Sequence, residues 1–300
     1  MRIFESTNVQ FVASRKVAYI FSGALILLSL ISLATRGLEM GIDFRGGMEF
    51  VVATDEPIAV TQVRSVLTDV LGSEPEVKTY GDDALLIRSH ATGEISEAQQ
   101  RILEGIRSTF PASNPRVEKT DIVGPRFAQD LKEGAIFAVL GSLLVIFVYI
   151  LIRFEWRFGL GAVSALFHDV IVTLGIFSLL QGLVPFSLQI DQTIIAAFLT
   201  IVGYSLNDTV VVFDRIREYT NLFKTEPYES VVNRSINNTL SRTIITSGTT
   251  LLVVTTLFIF GGEVLRGFAF ALIVGIIFGT YSTVFVASPI VVDLRQGRRK

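Results

Sequence analysis

Six stretches of this 300-residue sequence are long and apolar enough to cross a bilayer, and no other feature limits the possible folds so sharply. They fall at about 17–35, 134–152, 158–181, 191–213, 243–262 and 267–290. A helix rising about 1.5 Å per residue needs roughly 20 residues to cross the hydrocarbon layer. Lipid offers backbone N–H and C=O groups no partner, so each run must close its own hydrogen bonds as a helix. Half the residues are hydrophobic and 18% are charged, a balance that soluble domains rarely have. The expected class is a polytopic α-helical membrane protein with six transmembrane helices.

The first run follows Arg15 and Lys16 as a signal peptide would, but it lacks a clear A-x-A cleavage site. It therefore reads as an uncleaved first span, with residues 1–16 before it. The absence of cysteine excludes disulfides and thiol chemistry, and a net charge of −2 argues against a nucleic-acid partner.

Orientation follows from Lys and Arg in the short loops. Arg2, Arg15, Lys16, Arg153, Arg157, Arg215, Arg217, Lys224 and Arg234 fall on one side, together with a basic tail over 291–300. The short loops opposite hold only Arg266. Both termini are thus expected in the cytoplasm, and the long segment 36–133 outside it.

That segment has the order of a small α+β domain. GGMEFVVAT (46–54) is a strand by its β-branched and aromatic content, and 58–72 has the apolar period of a helix ended by Gly72. Strands at 75–81 and 84–90 flank a turn at Gly81-Asp82-Asp83. A helix over 95–110 and a strand over 116–124 complete the set. The order β-α-β-β-α-β is that of a ferredoxin-like domain, which fixes no function. His90 stands alone and reads as an exposed histidine after a strand; no metal-ligand cluster or activated nucleophile is legible. GIDFRGG (41–47), with three glycines in seven residues, reads as a linker turning the chain into its first strand.

The chemistry is expected inside the membrane. Asp208 interrupts the fourth run, where insertion scales charge at least about 2.5–3.5 kcal/mol for an acid at the helix centre. Helical spacing sets Ser205 and Tyr204 one turn before it. Arg242 opens the fifth run and is the candidate partner of Asp208, with Thr246, Thr249 and Thr256 following at spacings of four, three and seven. The third run holds Asp169 beside His168, on adjoining faces that do not by themselves make a pair. A carboxylate in hydrocarbon holds its proton until a cation approaches, so an arginine that comes and goes would link helix position to proton occupancy. Two plainer readings stay open: a structural ion pair that fixes register, and an arginine that marks the membrane boundary.

GIDFRGG, FHDVIVTLG (167–175), GYSLNDTVVVFDRIRE (203–218) and INNTLSRTIITSGTTL (236–251) together make the chain resemble the SecF branch of the SecD/SecF family, within the RND superfamily. The resemblance covers essentially the whole chain. It implies six spans forming half of an RND-type bundle, with one periplasmic domain, in the bacterial inner membrane. It also implies work beside SecD and the SecYEG channel, in many bacteria with YajC, after the ATPase SecA has pushed a chain in. Unfolded exported polypeptides would be moved at the expense of the proton-motive force. By the same resemblance, Asp208, Arg242 and Asp169 are proton-coupling residues, to which helical spacing adds Ser205 and Thr246. No cofactor, metal or hydrolytic site is implied, and lipid and protons are the other expected partners. The rival is an RND-type exporter half for small molecules or lipids. An aspartyl protease is disfavoured, since Asp169 and Asp208 differ in estimated depth by roughly 7 Å.

Overall fold

A computed structural model describes residues 8–73, 75–81, 83–89, 94–184 and 186–296. Arg2, His90, Asp82 of the expected turn and the last four residues of the basic tail lie outside the described residues. The described residues form two compact units, one within 8–38, 138–179 and 193–296, the other within 39–137 and 180–192.

The first unit holds the membrane helices. Six helical segments among the described residues are long and apolar enough to cross a membrane. They are α1 (Arg15–Thr35), α5 (Pro125–Arg153), α6 (Trp156–Leu180), α7 (Gln192–Leu222), α8 (Tyr228–Phe260) and a last segment built from α9 (Gly262–Ser282), a π-helical turn (Thr283–Ala287) and α10 (Ser288–Gln296). Several overrun their apolar runs. The run reports the part that lipid can cover, whereas the helix ends where the backbone is stopped, as at Pro125 and Pro227, which open α5 and α8.

Small residues bring these helices together. Gly275 and Gly279 form a G-x-x-x-G pair on α9; a Cβ at Gly275 would collide with Ile201, and one at Gly279 would lie 3.0 Å from the Ser205 Cβ. Gly175 of α6 likewise faces Ser29 of α1, where any added Cβ would strike the serine. Pro289 lies just past the π turn. It has no N–H to give Phe285, and the wider turn absorbs the break, with Ser288 donating its N–H and hydroxyl to the Thr283 carbonyl.

The chain before α1 is pinned to α8. Asn237 and Asn233 accept from the N–H groups of Val9 and Val12, and both amides donate to the Val9 carbonyl. Arg15 pairs with Glu229 at 2.8 Å and Asp293 at 3.1 Å.

The second unit holds a four-stranded antiparallel sheet of order β2-β3-β1-β4, from β1 (Gly47–Ala53), β2 (Glu76–Tyr80), β3 (Ala84–Ser89) and β4 (Arg116–Val123). Helices α3 (Val60–Leu71) and α4 (Ile95–Thr109) complete the double split β-α-β that the strand order predicts. Met48, Phe50 and Val52 alternate along β1 into one core with Val63, Leu67, Ile102 and Ile106 of the helices. Gly72, at φ +72°, ends α3 as expected.

GIDFRGG is more than a linker: its residues 42–45 form a helical turn, α2 (Ile42–Arg45). The loop 180–192 also joins this unit, which the sequence does not announce.

Candidate functional site

Asp208 sits on the buried face of α7 at 9% exposure. Its Oδ1 accepts a hydrogen bond from the Thr243 hydroxyl at 2.7 Å, and its Oδ2 is buried with no hydrogen-bond partner among the described residues. Thr243 belongs to a line of buried hydroxyls on α8, Thr239, Thr243 and Ser247, each four residues from the last. Arg242 precedes Thr243 by one residue, about 100° around the helix, and its side chain is exposed. It gives no hydrogen bond to either oxygen of Asp208 in this structure.

Thr246, counted from Arg242, follows the exposed line too, and its hydroxyl bonds the carbonyls of Arg242 and Thr243 on its own helix. The spacing count from Arg242 therefore follows the exposed face of α8, whereas the hydroxyl that reaches Asp208 is on the buried one. Counting from the buried hydroxyls Thr239 and Ser247 would have found Thr243.

Asp169, 1% exposed on α6, is held from three directions. Ser205 of α7 donates to its Oδ2 at 2.6 Å and Ser282 of α9 at 2.8 Å, while His168 Nδ1 lies 3.0 Å from its Oδ1. The neighbours His168 and Asp169 thus do pair, although helix period alone sets them on adjoining faces. His168 lies beside the Tyr281 ring, at 5.8 Å between centroids, and its Nε2 is buried without a partner among the described residues. Ser282 is the residue that sequence reasoning missed. It lies one turn beyond Gly279, whose lack of a side chain leaves room for Ser205, and the G-x-x-x-G spacing was the available signal.

Among the described residues the two acids share no hydrogen-bond donor and do not bond each other. They are linked through α7, because Ser205, which binds Asp169, lies one turn from Asp208 on the same buried face. Further hydroxyls continue the seam: Thr209 with Thr283 at 2.8 Å, Ser247 with Thr280 at 2.8 Å, and Tyr204 with Ser247 at 3.4 Å. Asp169, Ser205, Asp208 and Thr243 are brought into this seam; Arg242 and Thr246 stand outside it.

A second polar cluster occupies the sheet unit. Buried Glu39 accepts from Lys78, Gln181 and Gln189, and Arg88 donates to Gln189 and pairs with Glu49 at 2.5 Å. Burial pushes the Glu76 carboxyl up. Its hydrogen bonds with Glu39 and Lys78 and the charges of Lys78 and Arg88 outweigh this, and hold it at about 2. Among the described residues no three His, Cys, Asp or Glu side chains gather as metal ligands.

Residues 105–297 match the family described as protein export membrane protein SecD/SecF, C-terminal, and residues 31–58 match the SecD/SecF GG motif. The protein translocase subunit SecF of Rhodothermus marinus is 72% identical over 98% of this chain and 96% of its own length. The SecF of Desulfurispirillum indicum is 46% identical over 96% and 92%. The crystal structure of SecDF, a translocon-associated membrane protein from Thermus thermophilus, superposes with a TM-score of 0.86 at 35% identity. It covers 97% of this chain, and the chain spans 39% of that longer protein. SecDF in a super-membrane-facing form gives a TM-score of 0.72 at 34% identity, over 98% and 40%.

Proposed function

The chain belongs to the SecD/SecF family of protein export membrane proteins, and from that premise we propose that it is the SecF-type half of a proton-driven export machine. It is a multi-pass protein of the bacterial inner membrane. It works with a SecD-type partner beside the SecYEG channel, in some bacteria with YajC, and draws exported chains outward after SecA has delivered them. Both termini are cytoplasmic and the sheet unit is periplasmic, in keeping with the basic short loops.

The observation that carries the reading is the state of Asp208. One carboxylate oxygen is engaged by a neutral hydroxyl, and the other is buried with nothing bound to it among the described residues. That is a group free to take and release a proton. Arg242 and Thr243 are consecutive, so turning α8 by about 100° about its axis exchanges a hydroxyl for a guanidinium opposite Asp208. Proton occupancy of Asp208 and the setting of α8 then become one coordinate. A charge crossing 100 mV of membrane potential releases about 2.3 kcal/mol, enough to bias two such settings. Asp169, with Ser205 and Ser282 on one oxygen, is the inner station of the same path, and Arg242 lines the approach from the exposed side of α8.

Replacing Asp208 by Asn keeps the shape and removes the proton. In membrane vesicles holding the full translocase, Asp208→Asn is expected to assemble and to lose the part of export that depends on the proton gradient. Full retention of that dependence would overturn the proposal.

A further inference from the structure

GIDFRGG has no part in the chemistry of the spans, yet its residues make close backbone contacts within the sheet unit. Beyond α1 the chain runs beside the loop that leads into α7. Met40 and Ile190 form a parallel bridge, Ile190 N–H donates to the Glu39 carbonyl at 2.8 Å, and Gly41 N–H donates to the Ile190 carbonyl at 2.8 Å. At Gly41 a Cβ would stand 3.1 Å from the Asp191 Cβ and 3.2 Å from the Ile190 oxygen, so the two backbones meet only because no side chain intervenes.

The short helix α2 then turns Asp43 toward α7. Its Oδ2 accepts from the N–H of Gln192 at 2.9 Å, and Gln192 is the first residue of α7. That N–H is one of the four at a helix start that no carbonyl of the same helix can reach. A carboxylate there also meets the positive end of the helix dipole. The motif closes at Gly46, with φ +74°, where a Cβ would lie 3.2 Å from the Val123 oxygen and 3.3 Å from the Pro125 Cα. Pro125 is the first residue of α5. One seven-residue stretch therefore abuts the first residues of two spans.

We propose that this stretch is a clasp and that Asp43 is its positioning residue for export, holding the first turn of α7 to the sheet unit. The role rests on Asp208 being the proton-holding group, because α7 is one unbroken helix and Asp208 lies about 24 Å further along it at ~1.5 Å per residue. A capped first turn delivers a displacement of the sheet unit to that helix, or the reverse. A frayed one absorbs it.

The test compares Asp43→Ala, Asp43→Asn and Asp208→Asn in the full-length protein within the assembled translocase. Two quantities are read: amide hydrogen exchange over 188–195, and export with and without a proton gradient. Asp43→Ala is expected to speed exchange at the start of α7 about fivefold, the change that loss of one cap implies. It should cut gradient-dependent export several-fold and leave SecA-driven export within about twofold. Asparagine keeps an acceptor oxygen and should restore both readouts most of the way. If Asp43→Ala loosens α7 while gradient-dependent export stays at the wild-type level, or if exchange does not change, the clasp is overturned. Asp208→Asn reports separately on the proton reading: a silent Asp208 with a sensitive Asp43 removes that reading and leaves the clasp purely mechanical. Where Asp43→Ala fails to accumulate, Gly41→Ala decides, since it forces the same two backbones apart with Asp43 intact. Unchanged gradient-dependent export in Gly41→Ala would equally overturn the clasp.

Discussion

At the scale of single residues, the site turns on one buried carboxylate, Asp208, and the hydroxyl of Thr243 that reaches it. Asp208 is legible because a carboxylate in a 20-residue apolar run has no cheap explanation. Thr243 is not, because a count from Arg242 at spacings of four, three and seven passes it by and runs along the exposed line of α8. The structure separates the two threonines by what each hydroxyl touches. Thr243→Val removes the donor to Asp208 Oδ1 and is expected to shift the pH profile of gradient-dependent export and lower its maximum. Thr246→Val takes away a bond to its own helix backbone, and export and stability should stay within about 0.5 kcal/mol of wild type. Equal effects from the two would remove Thr243 from the site. Ser282 was out of reach for a different reason: its partner Asp169 is 113 residues away, and only the packing of α9 against α6 joins them.

At the scale of elements, the apolar runs predict which helices exist, and small residues decide how closely they pack. Period and length suffice for six spans and for the β-α-β-β-α-β order, since each signal is local. Helix ends and contacts are not local, and these are where expectation and structure part. Two glycines give a direct comparison. Gly175→Ala would drive a methyl into Ser29 of α1 and is expected to cost about 1–3 kcal/mol, read as a lower melting temperature in detergent. Gly203, on α7, has nothing within 4 Å of a built Cβ, so Gly203→Ala should be neutral or slightly stabilising through its better helix propensity. If both behave alike, close packing at Gly175 is not what holds α1 to α6. The π turn at Thr283–Ala287 was likewise hidden, although Pro289 marked where an ordinary helix would have failed.

At the scale of the whole molecule, the loop 180–192 belongs with a sheet that ends more than fifty residues earlier. No pattern in the sequence says so, because the link is made by amides and charges, Gln181 and Gln189 on Glu39 and Arg88 on Gln189, and such residues look like ordinary loop polarity. The cluster gives the sheet unit a pH signature. Glu76 is lowered from its ordinary 4.5 to about 2, so its stabilising contribution is complete above the ordinary value and is lost as the pH falls toward 2. Urea midpoints of the purified chain, followed by proteolysis within 39–137, should fall over that window. Glu76→Gln should be less stable at neutral pH and less steep below pH about 4.5. An identical slope in the two proteins would take Glu76 out of the account.

The same cluster also sets a timetable. A ribosome finishes the last sheet strand at Val123 and must add roughly 65 residues, with two more spans among them, before Gln189 exists. At about 5–20 residues per second that is a wait of about 3–13 s. During it Glu39 has its lysine and neither glutamine. The unit is thus a fold with a late keystone: its hydrophobic half can close at once, and its polar half is completed only after the membrane has received the third helix.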